Sequence, residues 1–501
     1  VNFIERLLEK LDDRINPIVV KELRQAVQGR FVSAILILFL ISQMLAISYC
    51  LVATDAAVDF SVGRDVFTFL LFLLLGTCIV AIPAYAGFRF SSERTESDSD
   101  LLFITSITPA SIIRGKFTAS MALVILIYSA CMPYMTITYL MRGIDLPSIF
   151  VVLVMSVLPV MTCLMLVIFF ASLPIASVYR SSLGVLIFLQ LLWIAVAAVT
   201  SLSEQLRVGV GSRIGTFAFW ESFIGISMYL VFFFGLFYVL AVAAVSPPSA
   251  NRALKVRLYL TFSWIIMGVV LGAAALYHKT YHPILLWMGQ SIFALSMSFF
   301  VSICEREEIG NRIARSIPSG MLGRRLAFFY YSGSAGGIIW AWLHIIATVV
   351  IAKVCKDAFF PAVGTYQRDF FEFLEVFLGI AFYSFFYSMA AVFVRRYFLE
   401  GRVEPGQNWF LAIILAGLGG AVPYMLGLII SGSSKESEML LLGNPFALGY
   451  STHLREAGVC FSFVMSIALL FLNKSWIKEQ MEKFVPRKSY NREVNESTEN
   501  G

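Results

Sequence analysis

Charge is scarce in this chain, and where it is missing says more than how much there is. Asp, Glu, Lys and Arg make up 14% of the 501 residues, whereas 59% are hydrophobic and 15% aromatic. Twelve predominantly apolar stretches of 17 or more residues contain no Lys or Arg, and all 38 basic residues lie between them or at the two ends. A helix needs about 20 apolar residues to cross a bilayer, and an unpaired charge in hydrocarbon costs several kcal/mol. The pattern therefore predicts an all-α polytopic membrane protein of about 12 transmembrane helices and excludes a water-soluble globular chain. The spans are read at 31–53, 66–88, 118–141, 149–172, 183–201, 218–245, 258–277, 284–304, 336–352, 375–394, 409–431 and 456–473.

Other absences narrow the function. No loop between spans is long enough for a separate soluble domain, so the chemistry of any energy source must sit on another chain. A phosphate-cradling Walker A loop needs Gly-x-x-x-x-Gly-Lys-Ser/Thr. The lone Gly115-Lys116 pair has Ala110 and Phe117 at the other two places. Neither H-E-x-x-H nor G-x-S-x-G occurs, and the four histidines are scattered, with His344 alone well inside a span, where a packing role is expected. Seven cysteines form no C-x-x-C pair, which argues against a metal site or a disulfide framework. The chain is thus not expected to be an enzyme by itself, and no cofactor is expected. Span centres also lack Asp and Glu, which disfavours a proton- or ion-driven carrier that needs an intramembrane carboxylate or a broken helix.

What charge there is fixes an expected orientation. Alternate segments beginning with the N-terminus hold 28 of the 38 basic residues, and the other set holds 10. By the positive-inside rule both termini are cytoplasmic, with 95–100 and 305–320 inside and 355–370 and 435–450 outside. The net charge of +6 follows from this topology and from contact with anionic lipid in the bilayer, so no nucleic-acid partner is implied. No cleavable signal peptide is expected, because the first 30 residues are charged and amphipathic and the first apolar run is of full span length.

The expected organisation is a pair of amphipathic interfacial helices over 1–30, then a first six-span half over 31–245 with a cytoplasmic loop at 89–117. A linker at 246–257 leads to a second six-span half over 258–473 with a loop at 305–327, and a polar tail over 474–501 follows. Asn16-Pro17 reads as an N-cap followed by a first-turn proline, opening a surface helix to about Gln28. Thr108-Pro109 repeats that signal and should start the helix that becomes span 3. Between these lies the most informative loop, in which the acidic stretch up to Asp100 feeds an apolar run, Leu101 to Ile107. Outside a bilayer such a run must be buried against something.

Glu93-Arg94-Thr95-Glu96, Asp100-Leu101-Leu102, Thr105, Thr108-Pro109, Ser111 and Gly115-Lys116 resemble, over roughly residues 16–140, the loop after span 2 in the membrane-spanning permease subunits of type 2 (ABC-2) ABC transporters. The chain departs from that pattern in carrying Ser97-Asp98-Ser99 where Gly-Thr usually precedes the Leu pair, and in about three extra residues between Leu102 and Pro109. The resemblance implies export of a lipophilic or amphiphilic substrate, powered by a separate cytoplasmic ATP-binding subunit. It makes Glu93, Arg94, Asp100, Leu101, Leu102, Pro109 and Lys116 the candidate coupling residues. Glu305, Arg306 and Arg312 are the corresponding candidates after span 8, where Cys304-Glu305-Arg306 parallels Ser92-Glu93-Arg94. Two fused halves would make a pseudo-dimer within one chain; otherwise a homodimer supplies the second permease. The expected location is a plasma membrane, the inner membrane in a bacterium. A non-transporting membrane scaffold or assembly factor is the alternative from a different class.

Overall fold

The computed structural model describes residues 16–53, 62–95, 108–141, 144–173, 177–208, 213–247, 249–360, 365–431, 438–449 and 452–486. Every regular element among them is helical. Twelve helices are long and apolar enough to cross a membrane, and the protein is an all-helical, multi-pass membrane protein. Many apolar side chains on these helices face outward, Trp193 at 70% and Ile429 at 76% exposed among them. In water so much outward apolar surface would be untenable, and the hydrocarbon of a bilayer is the solvent that suits it. Contacts divide the chain into two compact units, Val1–Pro247 and Pro248–Gly501.

The first unit opens with a short helix, α1 (Pro17–Gln28), and the first span, α2 (Arg30–Ala53). The second span is built from α3 (Val62–Leu75), a π-helical turn (Gly76–Ala81) and α4 (Ile82–Thr95). Then come α5 (Pro109–Leu140), α6 (Leu146–Ala171), α7 (Ser177–Val208) and α8 (Phe217–Val245). Both cap signals read from the sequence are realised. The Asn16 side chain accepts from Ile18 N and the Thr108 side chain from Ser111 N, each with proline in the first turn. The core of this unit runs along α3, the π turn, α5 and α6, through Phe67, Leu71, Ile79, Val124 and Val160. Two polar contacts at that depth tie neighbouring helices together. The Gln43 amide donates to Cys131 Sγ at 3.0 Å, and Tyr128 and Ser156 hydroxyls meet at 2.7 Å.

The second unit contains the spans α9 (Arg252–His278) and α10 (His282–Ser302), and then two short helices, α11 (Asn311–Ser316) and α12 (Met321–Tyr330). The spans α13 (Ser334–Phe359), α14 (Thr365–Phe398), α15 (Asn408–Ser431) and α16 (Thr452–Leu472) follow, with α17 (Lys474–Lys483) last. The central span α14 packs against α10, α15 and α16. His344 is a packing histidine. Its ring lies 4.7 Å from that of Trp340 and 5.4 Å from that of Trp264, and its nitrogens meet Thr261 Oγ1 at 3.2 Å and Trp340 O at 2.8 Å.

Candidate functional site

In the first unit, α1 is held to the ends of two spans by a partly buried cluster of charge. Lys116, in the second turn of α5, places Nζ 2.6 Å from Glu22 Oε1 of α1 and 2.6 Å from Glu93 Oε2 of α4. Arg89 Nε lies 3.5 Å from the other Glu22 oxygen, and its Nη1 donates to the Tyr85 hydroxyl at 2.9 Å. The Lys116 ammonium also sits 4.6 Å above the Phe90 ring. Glu22 and Lys116 are each 8% exposed. Two carboxylates and two cations thus nearly cancel in a place where any one of them alone would be costly.

Close backbone approach makes this geometry available. A Cβ on Gly115 would come 2.8 Å from Ile18, so only glycine lets α1 lie this near α5. Asn16 Nδ2 then donates to Ser111 O at 2.7 Å and to Ser111 Oγ at 3.0 Å, joining the two helix starts. A cleft of about 20 Å³ opens beside the cluster, lined by Glu22, Arg89, Lys116 and Ser120 among others. That is room for roughly one water. The cluster joins α1 to α4 and α5, and the cleft beside it admits nothing the size of a substrate.

The second unit has a counterpart. Arg257, 3% exposed in α9, donates from Nη2 to Glu305 Oε1 at 2.6 Å, and from Nη1 to Phe329 O at 3.0 Å and Tyr331 O at 2.5 Å. A guanidinium at a helix C-terminus satisfies orphan carbonyls and complements the helix dipole, and here it terminates α12. Glu305 accepts from Gly333 N at 2.6 Å through its other oxygen, and its main-chain carbonyl accepts from Ser334 Oγ at 2.9 Å. Burial raises the Glu305 carboxyl from its usual range, and Arg257 and the Gly333 N–H pull against that rise. Two residues on, Glu307 pairs with Arg395 of α14 and accepts from Trp476 Nε1 at 2.9 Å.

These geometries sort the sequence candidates. Glu93, Lys116 and Glu305 are bound within their own unit, and Pro109 is the first residue of α5. Arg306 and Arg312 are exposed. Arg94 is in α4, its side chain outside the described residues, as are Asp100, Leu101 and Leu102. Sequence reasoning missed Glu22, Arg89 and Arg257. Glu22 did carry a signal, because it falls between Ile18 and Ala26 on the face of α1 that packs inward, where an acid requires a partner.

The sequence reading placed residues 435–450 on the non-cytoplasmic side and assigned them no structure. Two 3-10 segments there, Glu438–Gly443 and Pro445–Gly449, fold back among the spans. Tyr383, at the midpoint of the Asp369–Phe398 span, donates its hydroxyl to Leu442 O at 2.5 Å, and Tyr387 donates to Gly443 O. A Cβ on Gly443 would collide with Gly419 O, at the middle of α15. Irregular backbone survives at this depth only where it is buried in protein and its polar groups are met. The alternation of charge across spans does not register such a segment, because a chain that enters and leaves on one face changes no count.

Among the described residues, no group of three or more His, Cys, Asp or Glu side chains is placed to hold a metal ion. No family model matches the chain, and neither a curated protein nor a solved structure matches it.

Proposed function

We propose that this chain is the membrane-spanning permease subunit of an ABC-2-like exporter, moving a lipophilic or amphiphilic substrate with energy from a separate cytoplasmic ATP-binding subunit. The observation that carries this reading is the Glu22–Lys116–Glu93–Arg89 joint. A helix that lies beside the spans is locked by charge to the ends of α4 and α5, so a push on either is carried as a rigid-body displacement of those spans. The segment 96–107, which links α4 to α5 in the sequence and holds Asp100, Leu101 and Leu102, is where the partner presses. Arg306 and Arg312, exposed beside the Glu305 joint, are the second place it reaches. Under this reading both termini and both joints are cytoplasmic, in the plasma membrane, a bacterial inner membrane in the expected case.

The re-entrant segment favours this reading over an ion-driven carrier. Its carbonyls at Leu442 and Gly443 already accept from tyrosine hydroxyls, and carbonyls turned to donors are poorly placed to coordinate a cation.

The test is Leu102→Asp in the full chain, purified from cells that express its natural neighbours. Burying a Leu is worth about 1.5–3 kcal/mol, and a carboxylate adds a desolvation cost. The variant should therefore lose a co-purifying ATPase while keeping membrane insertion and thermal stability. Wild-type chain alone should hydrolyse no ATP. A wild-type chain that never brings down an ATPase overturns the proposal and favours a scaffold. Loss of folding in the variant gives Leu102 a packing role in place of docking.

A further inference from the structure

We infer that α12 is an anionic-lipid anchor, a helix lying in the surface of the bilayer with apolar side chains among the acyl chains and arginines on phospholipid headgroups. Its level in the molecule is fixed by its C-terminal end. Phe329 O and Tyr331 O are tied to Arg257 in the second turn of α9, and the span α13 begins at Ser334. That places α12 at the mouths of two spans.

One side of the helix is spoken for. Ala327 is buried, the Phe328 ring stands 5.3 Å from that of Phe484, and Arg324 Nε donates to Phe484 O at 2.8 Å. The other side carries Leu322 and Leu326 one turn apart, 74% and 51% exposed, with Met321 beside them. At the C-terminal end of α12 the Tyr330 hydroxyl meets Thr261 of α9 at 3.2 Å, and α9 itself turns Leu258 and Phe262 outward. Arg325 on the helix itself and Arg315 on α11 are both exposed, α11 being joined to the end of α12 where the Tyr331 hydroxyl donates to Ser316 O at 3.1 Å, and residues 305–331 hold five arginines against three glutamates. Apolar side chains with an excess of arginine at the mouth of a span are what an anionic leaflet attracts. A soluble protein partner would offer a complementary acidic and apolar face instead, but the place of α12 at the mouths of the spans α9 and α13 points to lipid.

Two measurements on the full chain test this. In the first, p-benzoylphenylalanine replaces Leu322 and native membranes are irradiated. Phospholipid adducts are expected, enriched in acidic headgroups beyond their share of the membrane. Adducts to another protein overturn the inference. In the second, the purified protein is placed in nanodiscs of phosphatidylcholine alone or mixed with phosphatidylglycerol, and retained lipid is counted. Preference for phosphatidylglycerol should fall about fivefold for each of Arg315→Gln and Arg325→Gln, as expected for about 1 kcal/mol per basic residue at a charged surface. Both side chains are exposed, so the fold should persist. An unchanged preference in the double variant also overturns the inference. Neither readout involves an ATPase, so failure of the transport proposal leaves this result standing.

Discussion

At the scale of single residues, burial decides which charges matter. Lys21 and Lys116 both approach Glu93, at 3.6 and 2.6 Å, but the Lys21 side chain is 58% exposed and that of Lys116 is 10% exposed. Water screens the first pair to about 0–1 kcal/mol. Removing Lys116 leaves Glu22 with Arg89 alone and Glu93 with the exposed Lys21 alone, and breaking a buried pair costs about 3–5 kcal/mol. Lys116→Ala should therefore lower the thermal midpoint of the detergent-purified protein markedly, while Lys21→Ala should move it little. Equal effects of the two would mean the joint is not the structural element described here. The sequence showed Lys116 and Glu93 as candidates, yet their roles could not be read from it. A partner 94 residues away along the chain, Glu22, is brought to Lys116 only by tertiary packing.

At the scale of elements, legibility follows the range of the signal. Caps at Asn16-Pro17 and Thr108-Pro109 are local, since side chain and proline act within one turn, and both helices begin where the sequence places them. The spans were equally legible, because their composition alone meets the demands of a bilayer. The re-entrant turns at 438–449 were not. Their stability comes from Tyr383, Tyr387 and Gly419, all distant in sequence, and their own composition reads as an ordinary loop. This dependence can be tested. Tyr387→Phe leaves Gly443 O without its donor, which should cost about 1–3 kcal/mol. Gly443→Ala introduces a clash with main chain, which cannot swing aside as a flexible side chain would. Either change should make a cysteine placed at Asn444 react faster with a membrane-impermeant thiol reagent than it does in the parent. Fast reaction in the parent itself would place the segment in water, as the sequence suggested.

At the scale of the whole molecule, the two units use the same device with different parts. A glutamate at the end of the second span of each unit is paired with a buried base, Glu93 with Lys116 and Glu305 with Arg257. Yet Lys116 begins the third span of its unit, whereas Arg257 begins the first, and the helices they secure stand at different points in the chain. The recurrence answers a common physical demand, in which a helix beside the spans must be fixed to them and a shielded ion pair does so with direction. All these groups fall in the sequence segments that hold 28 of the 38 basic residues, which leads to the last prediction. Single cysteines at positions 95–100 and 305–320 should be protected from an impermeant reagent in intact cells and labelled in inverted vesicles, and cysteines at 355–370 should do the opposite. The basic asymmetry is far too large for a balanced distribution, and positive charge resists transfer across an energised membrane. Labelling of both of the first two segments from outside would invert the orientation, put both joints on the far side from ATP and remove the basis for a cytoplasmic motor.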